Sequence, residues 1–187
     1  MDRRRQLLTT VLQDKSEDIR KLAAAALEKC ETRARLESLA KKIETAQMLE
    51  KVRAIYALTD LKGPRVIEVL LKASKDPSED VRAAAVRVLG RVADVTQIQQ
   101  MLEALKDTSP IVQRVAIDIL GSFKDPRLLG HMMHLLKNPD PGVTERAIDV
   151  IARIGDKRAE EAMLHFAVKG NPKMRAIAVK ALGEMDM

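Results

Sequence analysis

The chain has 187 residues, 46% of them hydrophobic and 32% charged, with aromatics at 2%, no Trp, eight Gly and seven Pro. This composition fits an all-helical protein and excludes a β-rich fold of this size, which would draw on more aromatic and turn residues. Thirty-three Lys and Arg against 27 Asp and Glu leave a net charge of +6, enough to attract acidic partners weakly. No run approaches 18 apolar residues, so no transmembrane helix is expected.

The start, Met1-Asp2-Arg3-Arg4-Arg5, is basic but no apolar stretch follows, so a secretory signal is not expected. Cys30 is the only cysteine, which points to a reducing compartment, and a cytoplasmic location is the expectation. Its place three residues after Leu27, where later repeats carry Leu61, Val92, Phe123 and Ile154 three residues after the matching position, predicts a buried structural thiol.

Period decides the architecture. Ala23, Ala54, Ala85, Ala116, Ala147 and Ala178 follow one another at intervals of 31 residues, and four residues after each comes Leu27, Leu58, Leu89, Leu120, Ile151 or Leu182. An unbroken period of this length marks stacked repeats, each of two helices and two short turns. In chain order, the first helices are predicted over 3–13, 32–44, 64–75, 95–106, 126–137 and 157–169. The second helices are predicted over 16–30, 47–61, 78–92, 110–122, 141–154 and 172–184. Repeat boundaries fall near 1–30, 31–61, 62–92, 93–123, 124–154 and 155–187, within a single domain over 1–187.

Turn signals are strong at Lys62-Gly63-Pro64, Asp76-Pro77, Ser109-Pro110, Asp125-Pro126, Asn138-Pro139-Asp140-Pro141 and Gly170-Asn171-Pro172. They are weak at Thr45-Ala46-Gln47. Ser78 is a good N-cap, with Glu79 and Asp80 in the first turn, and Gly90 is read as weakening that helix near its end. The second repeat is the least regular, with Glu50 where other repeats have Ile19, Val81, Val112, Val143 and Met174.

The segments Val81-Arg82-Ala83-Ala84-Ala85-Val86-Arg87-Val88-Leu89-Gly90 and Asp125-Pro126-Arg127 resemble the short HEAT-like repeats of the phycobilisome-lyase type. The resemblance covers nearly the whole chain. It implies an all-α solenoid, or superhelix, of about six HEAT-like helix pairs with right-handed stacking, whose second helices line the concave surface. It also implies a ladder in which a turn Asp pairs with an Arg six residues on. Asp14/Arg20 and Asp76/Arg82 match that pattern and Asp107/Gln113 matches in part. Thr45/Lys51, Asn138/Thr144 and Lys169/Arg175 depart from it, which predicts a discontinuous ladder.

No catalytic motif is present: no phosphate-binding Gly-rich loop, no Gly-x-Ser-x-Gly and no His-Glu-x-x-His. The chain is therefore read as non-enzymatic and without a cofactor, since the lyase term comes only from the name of the repeat family. His131, His134 and His165 fall on neighbouring first helices and could in principle converge on a metal; the plainer reading is a polar stripe, because Lys41, Lys72 and Glu103 share that register. Met101, Met132, Met133 and Met163 match core leucines and are read as core.

On the concave layer the register gives a strip of partner-binding candidates: Arg53, Tyr56, Arg87, Arg91, Arg114, Asp118, Arg146, Asp149, Arg153 and Lys180. Arg and Tyr are favoured at interfaces, and the only Tyr falls on this strip. The expected function is a protein-interaction scaffold. A nucleic-acid binder and a lyase-like subunit of an enzyme complex are the alternatives, and the acids Asp60, Asp118, Asp149 and Glu184 along the strip disfavour a polyanion. The last helix is as apolar as an internal one, which predicts an exposed patch with Ile177 and Ala181, and self-association or docking there.

Overall fold

A residue at the closest approach of two helices must be small, and the computed structural model, which describes residues 3–92 and 98–184, buries the repeated alanine at every turn of the array. Ala23, Ala54, Ala85, Ala116, Ala147 and Ala178 are all buried. The methyl group lets the backbones near each other while larger neighbours interlock around it.

The helices follow in order: α1 (Arg3–Val11), α2 (Glu17–Thr45), α3 (Met48–Tyr56), α4 (Pro64–Ala73) and α5 (Glu79–Val92). Next come α6 (Ile98–Met101), which tightens into a 3-10 turn over Leu102–Lys106, and α7 (Pro110–Ser122). A 3-10 turn at Pro126–Leu128 leads into α8 (Leu129–Leu135), followed by α9 (Pro141–Ile154). A third such turn, Lys157–Ala159, opens α10 (Glu160–Lys169), and α11 (Pro172–Glu184) ends the array. The expected start of the fourth first helix at 95–97, and residues 185–187, lie outside the described residues. No strand occurs among the described residues, and no described helix is long and apolar enough to cross a membrane.

The second helices α3, α5, α7, α9 and α11 pack side by side, each on the next, whereas neighbouring first helices touch more sparsely. The second helices thus form the more closely packed of the two layers. Gly90 and Gly121 permit that closeness, because a Cβ on Gly90 would overlap Ile119 and one on Gly121 would overlap Val150. Gly90 therefore serves a helix contact rather than a helix end, and α5 runs through it to Val92.

The N-terminal region departs from the expected six helix pairs. Instead of two helices over 16–30 and 32–44, a single helix α2 of 29 residues spans both, about 44 Å long. Glu31-Thr32-Arg33 occupies the register of Lys62-Gly63-Pro64 and Lys124-Asp125-Pro126, and none of the three breaks a helix. The neighbouring face removes the incentive to fold back. α3 presents Glu50 and Arg53, both exposed, where α5 presents buried Val81 and Ala84 and α7 buried Val112 and Val115. The hairpin of α1 with the first half of α2 is therefore carried away from the stack. Ala24 is exposed and Leu27 only half-buried, although Ile55, Val86, Ile117 and Leu58, Leu89, Leu120 are buried at the same positions. Cys30, expected to be buried, is half-buried for the same reason.

Polar side chains fix the turns. Asp14, Asp76 and Asp107 each accept the backbone N–H of the serine two residues on, at 2.8, 2.9 and 2.8 Å, and Asn138 does so for Asp140 at 2.9 Å. Six residues after each, a donor closes the turn onto a backbone carbonyl: Arg20 onto Asp14 at 2.8 Å, Arg82 onto Asp76 at 3.0 Å, Gln113 onto Asp107 at 2.8 Å and Thr144 onto Asn138 at 3.2 Å. Side-chain pairing instead crosses to the following repeat, 25 residues on. Lys51 Nζ reaches Asp76 at 2.7 Å, Arg82 binds Asp107 through two bonds of 2.8 and 2.9 Å, and Asn138 donates its amide to Gln113 Oε1 at 3.0 Å.

The ladder is thus continuous from Lys51 to Asn138, which corrects the gaps expected at Lys51 and Asn138, while among the described residues no rung joins Thr144 to Lys169, where a departure was also expected. A Lys replaces Arg in one rung and a neutral amide pair replaces the ion pair in another. It stops at the hairpin, where Arg20 would need an acceptor at Thr45, whose hydroxyl bonds Lys41 instead. Burial pushes the Asp107 carboxyl up, but the Arg82 hydrogen bonds, the Ser109 N–H and the guanidinium charge together outweigh it and hold it below its ordinary value. Asp76 lies below its ordinary value by the same balance, with Lys51 as the cation.

Candidate partner-binding site

The strip residues sit where helical spacing on α3, α5, α7, α9 and α11 places them. Arg53, Tyr56, Arg87, Arg91, Asp118, Arg146, Asp149, Arg153 and Lys180 are exposed, and Arg114 is half-buried. They do not form one uniform surface. Arg114, Asp118, Arg146 and Asp149 line a single groove of 430 Å³ with Gly142, Glu145, Lys173 and Ile177. Arg53 lies apart, in a smaller depression of 340 Å³ with Leu39, Lys42, Glu50, Ala54 and Ala57, between α3 and the second half of α2.

Charge is distributed unevenly along the strip. In the C-terminal half the cations are engaged: Arg146 bonds both carboxylate oxygens of Asp118 at 2.7 Å, Arg153 pairs with Asp149 at 3.1 Å and Lys180 with Glu184 at 3.7 Å. Lys173 at 2.8 Å and the Asn171 amide at 2.9 Å both hold Glu145, whose carboxyl lies below its ordinary value for that reason. In the other half, among the described residues, no carboxylate pairs with Arg53, Arg87 or Arg91. Tyr56, also exposed, occupies the register of Arg87 one repeat earlier. Free guanidinium groups and an exposed phenol offer planar hydrogen-bond donors and a stacking face.

The histidines remain apart from any such chemistry. His131, His134 and His165 are exposed, and no group of three or more metal-binding side chains occurs among the described residues. His165 instead meets Phe166 edge-on, with ring centroids 5.3 Å apart. Met101, Met132 and Met163 are buried in the core, as their register requires, and Met133 is half-buried against it.

One surface escapes a reading by repeats. Where α2 passes the start of α4, a groove of 710 Å³ opens between Ala25, Lys29, Arg33 and Leu36 on one side and Leu61, Lys62 and Arg65 on the other. It exists because α2 does not turn at residue 31; the lack of Gly or Pro over 31–33 foretells the unbroken helix but not the groove. At the far end the exposed apolar residues are Leu164, Val168 and Val179, while Ala181 is buried and Ile177 half-buried, which corrects the expected patch. Ala181 faces inward because it lies three residues after Ala178 on the same helix stripe.

No curated protein matches this chain. A designed armadillo repeat protein in complex with the peptide (KR)4 shares the fold with a TM-score of 0.57 and 18% identity, over 99% of this chain and 100% of that one. An engineered protein shares it with a TM-score of 0.56 and 19% identity, over 99% of this chain and 97% of that one. The family of HEAT repeats matches residues 38–108 and again 98–183, so both matches begin beyond the projecting hairpin. Taken with the two-helix repeat, the buried alanine register and the cross-repeat ladder, these matches over most of the array show that the chain belongs to the HEAT repeat family.

Proposed function

We propose that this chain is a non-enzymatic protein-interaction scaffold that holds its partner along the exposed strip of the inner helix layer. The observation that carries the reading is the pair Arg87 and Arg91, exposed and unneutralised in the register that Tyr56 opens one repeat earlier, while the cations further along are matched to acids. A partner with acidic side chains spaced along an extended segment fits that half, and one with mixed charge fits the groove between Arg114 and Asp149. The designed armadillo repeat protein of similar fold is described with a basic peptide; free arginines favour the opposite sign here. The exposed apolar residues of the C-terminal repeat support a second contact, of the chain with itself.

Fluorescence anisotropy with an acidic peptide, the basic peptide (KR)4 and duplex DNA tests the strip. The acidic peptide binds the native protein, and Arg87→Glu/Arg91→Glu removes that binding while the melting temperature shifts by no more than a few degrees. Tight DNA binding that survives physiological salt overturns the reading in favour of a nucleic-acid binder.

A further inference from the structure

The two ends of the array carry the two halves of one inter-repeat junction. Within the chain each junction keeps a fixed register. On the first-helix layer, residues 28 apart meet across neighbouring repeats: Glu37 with Arg65 at 3.4 Å and Glu44 with Lys72 at 2.6 Å. On the second-helix layer the same interval joins Asp118 to Arg146 at 2.7 Å, and the turn ladder joins residues 25 apart. These intervals can be carried past the last repeat into the first repeat of another copy, with six periods of 31 residues as the unit of the stack.

The residues that then meet are complementary. Twenty-five positions beyond Arg175 lies Asp14 of the next copy, and these are the register equivalents of Arg82 and Asp107. Twenty-eight positions beyond Glu161 lies Arg3, the equivalents of Glu37 and Arg65. Arg3, Glu161 and Arg175 have no ion pair among the described residues. Asp14 is already oriented for the role, because its turn has the same Asp-to-Ser bond and the same Arg closure as the turns that form rungs inside the array.

The apolar residues agree. Val179 is 59% exposed, although Ile55, Val86, Ile117 and Ile148 at its register are buried. It belongs to the stripe that includes Gly90 and Gly121, which touch the following repeat. At the other end Leu22 is 70% exposed where Ala84 and Val115 are buried, and Arg146 at that same register reaches back to the preceding repeat. Leu7, 65% exposed, takes the place of buried Val69.

We propose that copies of this chain stack head to tail, α10 and α11 of one against the α1–α2 hairpin of the next, in the register of the intrachain junctions. The occupant of the C-terminal face is thus a second copy's hairpin, and the inference rests on reading that repeat as a self-contact surface. Because the two faces differ, the contact is heterologous and propagates to a chain of copies or closes as a ring.

Sedimentation velocity over a concentration series tests it with two exposed-site variants, Leu22→Glu and Val179→Glu. The native protein grows beyond a dimer with concentration, whereas each variant alone is monomeric and keeps native helicity by circular dichroism. An equimolar mixture of the two variants restores a dimer and nothing larger, since one retains a working C-terminal face and the other a working N-terminal face. Arg175→Asp weakens native assembly about tenfold or more, and adding Asp14→Arg recovers most of the loss. Association of Leu22→Glu alone overturns the head-to-tail arrangement while leaving self-contact through the C-terminal repeat standing. A native protein that stays monomeric throughout overturns both and leaves that face to a different partner.

Discussion

The α1–α2 hairpin and the central repeats share one 31-residue register, yet only the central repeats stack. Both have the small alanine, the apolar neighbours and the Asp-capped turn. They differ at two places outside the hairpin's own apolar stripe: the connection at residues 31–33 and the receiving face of α3. A repeat therefore needs a break that lets it turn and a neighbour that rewards the turn, and the helix-forming pattern alone provides neither. In the centre both are present, and burial at Ile117, Leu120, Ile148 and Ile151 is complete.

The largest test of this contrast puts one charge at one register position in each region. Ile117 is fully buried between neighbouring helices, whereas Ala24, three repeats earlier, is exposed. Ile117→Glu is expected to cost about 4 kcal/mol or more, from an unpaired buried carboxylate and the lost apolar contact. Ala24→Glu is expected to change stability by less than about 0.5 kcal/mol. Urea unfolding followed by circular dichroism measures both, and a similar large cost at Ala24 would mean the hairpin is stacked in solution.

Next in size is the connection itself. Thr32→Gly/Arg33→Pro installs in α2 the residues that separate α3 from α4. Proline inside a continuous helix costs about 3 kcal/mol, and here the penalty falls where little but α1 packs against the helix. Hydrogen exchange is expected to speed up over residues 17–30 while the central helices keep their protection. A uniform loss of protection through the whole array would show that the hairpin is coupled to the stack.

How much of this was legible before the structure depends on where the information lies. Ala116 and its five equivalents are buried as their period foretells, because one contact repeats at every junction. The ladder partners were misassigned because Asp76 and Arg82 are close in sequence, while the pairing that stabilises the stack, Arg82 with Asp107, joins separate repeats. The missing break could have been seen: Glu31-Thr32-Arg33 contains no helix breaker. Its consequence could not, because the groove beside Arg33 and Leu36 depends on how far α2 runs straight past α4. Along the strip, exposure followed from helical phase, but the division into free and matched arginines depends on which acid lies across the junction.

The ladder offers a smaller test. Arg82 and Asp107 are well shielded, with side chains 15% and 11% exposed, and Arg82 also binds two backbone carbonyls. Arg82→Ala is expected to cost about 2 kcal/mol. Arg20→Ala, which removes a turn closure but no cross-repeat ion pair, is expected to cost about 0.5–1 kcal/mol. Acid sensitivity follows the same logic. Asp76 and Asp107 have carboxyls held below the ordinary value of 3.8, so their contribution is complete above that pH and is lost as pH falls through the lower folded-state value. Asp107→Asn should flatten the fall in melting temperature below about pH 4. An unchanged acid limb would assign it to other groups.

The smallest expected effect concerns an ion pair of similar composition in a different setting. Arg146 and Asp118 cross a junction as Arg82 and Asp107 do, at 2.7 Å, but their side chains are 46% and 52% exposed. Water and salt screen such a pair, and two long side chains must be held in place to keep it, so its net worth is below about 1 kcal/mol. Arg146→Ala should therefore shift the melting temperature by only about 1–2 °C at physiological salt, a shift that disappears at 1 M salt. The ladder rung at Arg82 should resist the same salt, because its partners are shielded and its backbone contacts do not depend on charge. If the two variants lose stability equally and respond equally to salt, the strip pairs are structural and Asp118 and Arg146 are not free to exchange one another for a partner. If they separate as expected, stability resides in the turns, and the inner surface is left able to trade its internal pairs for external ones.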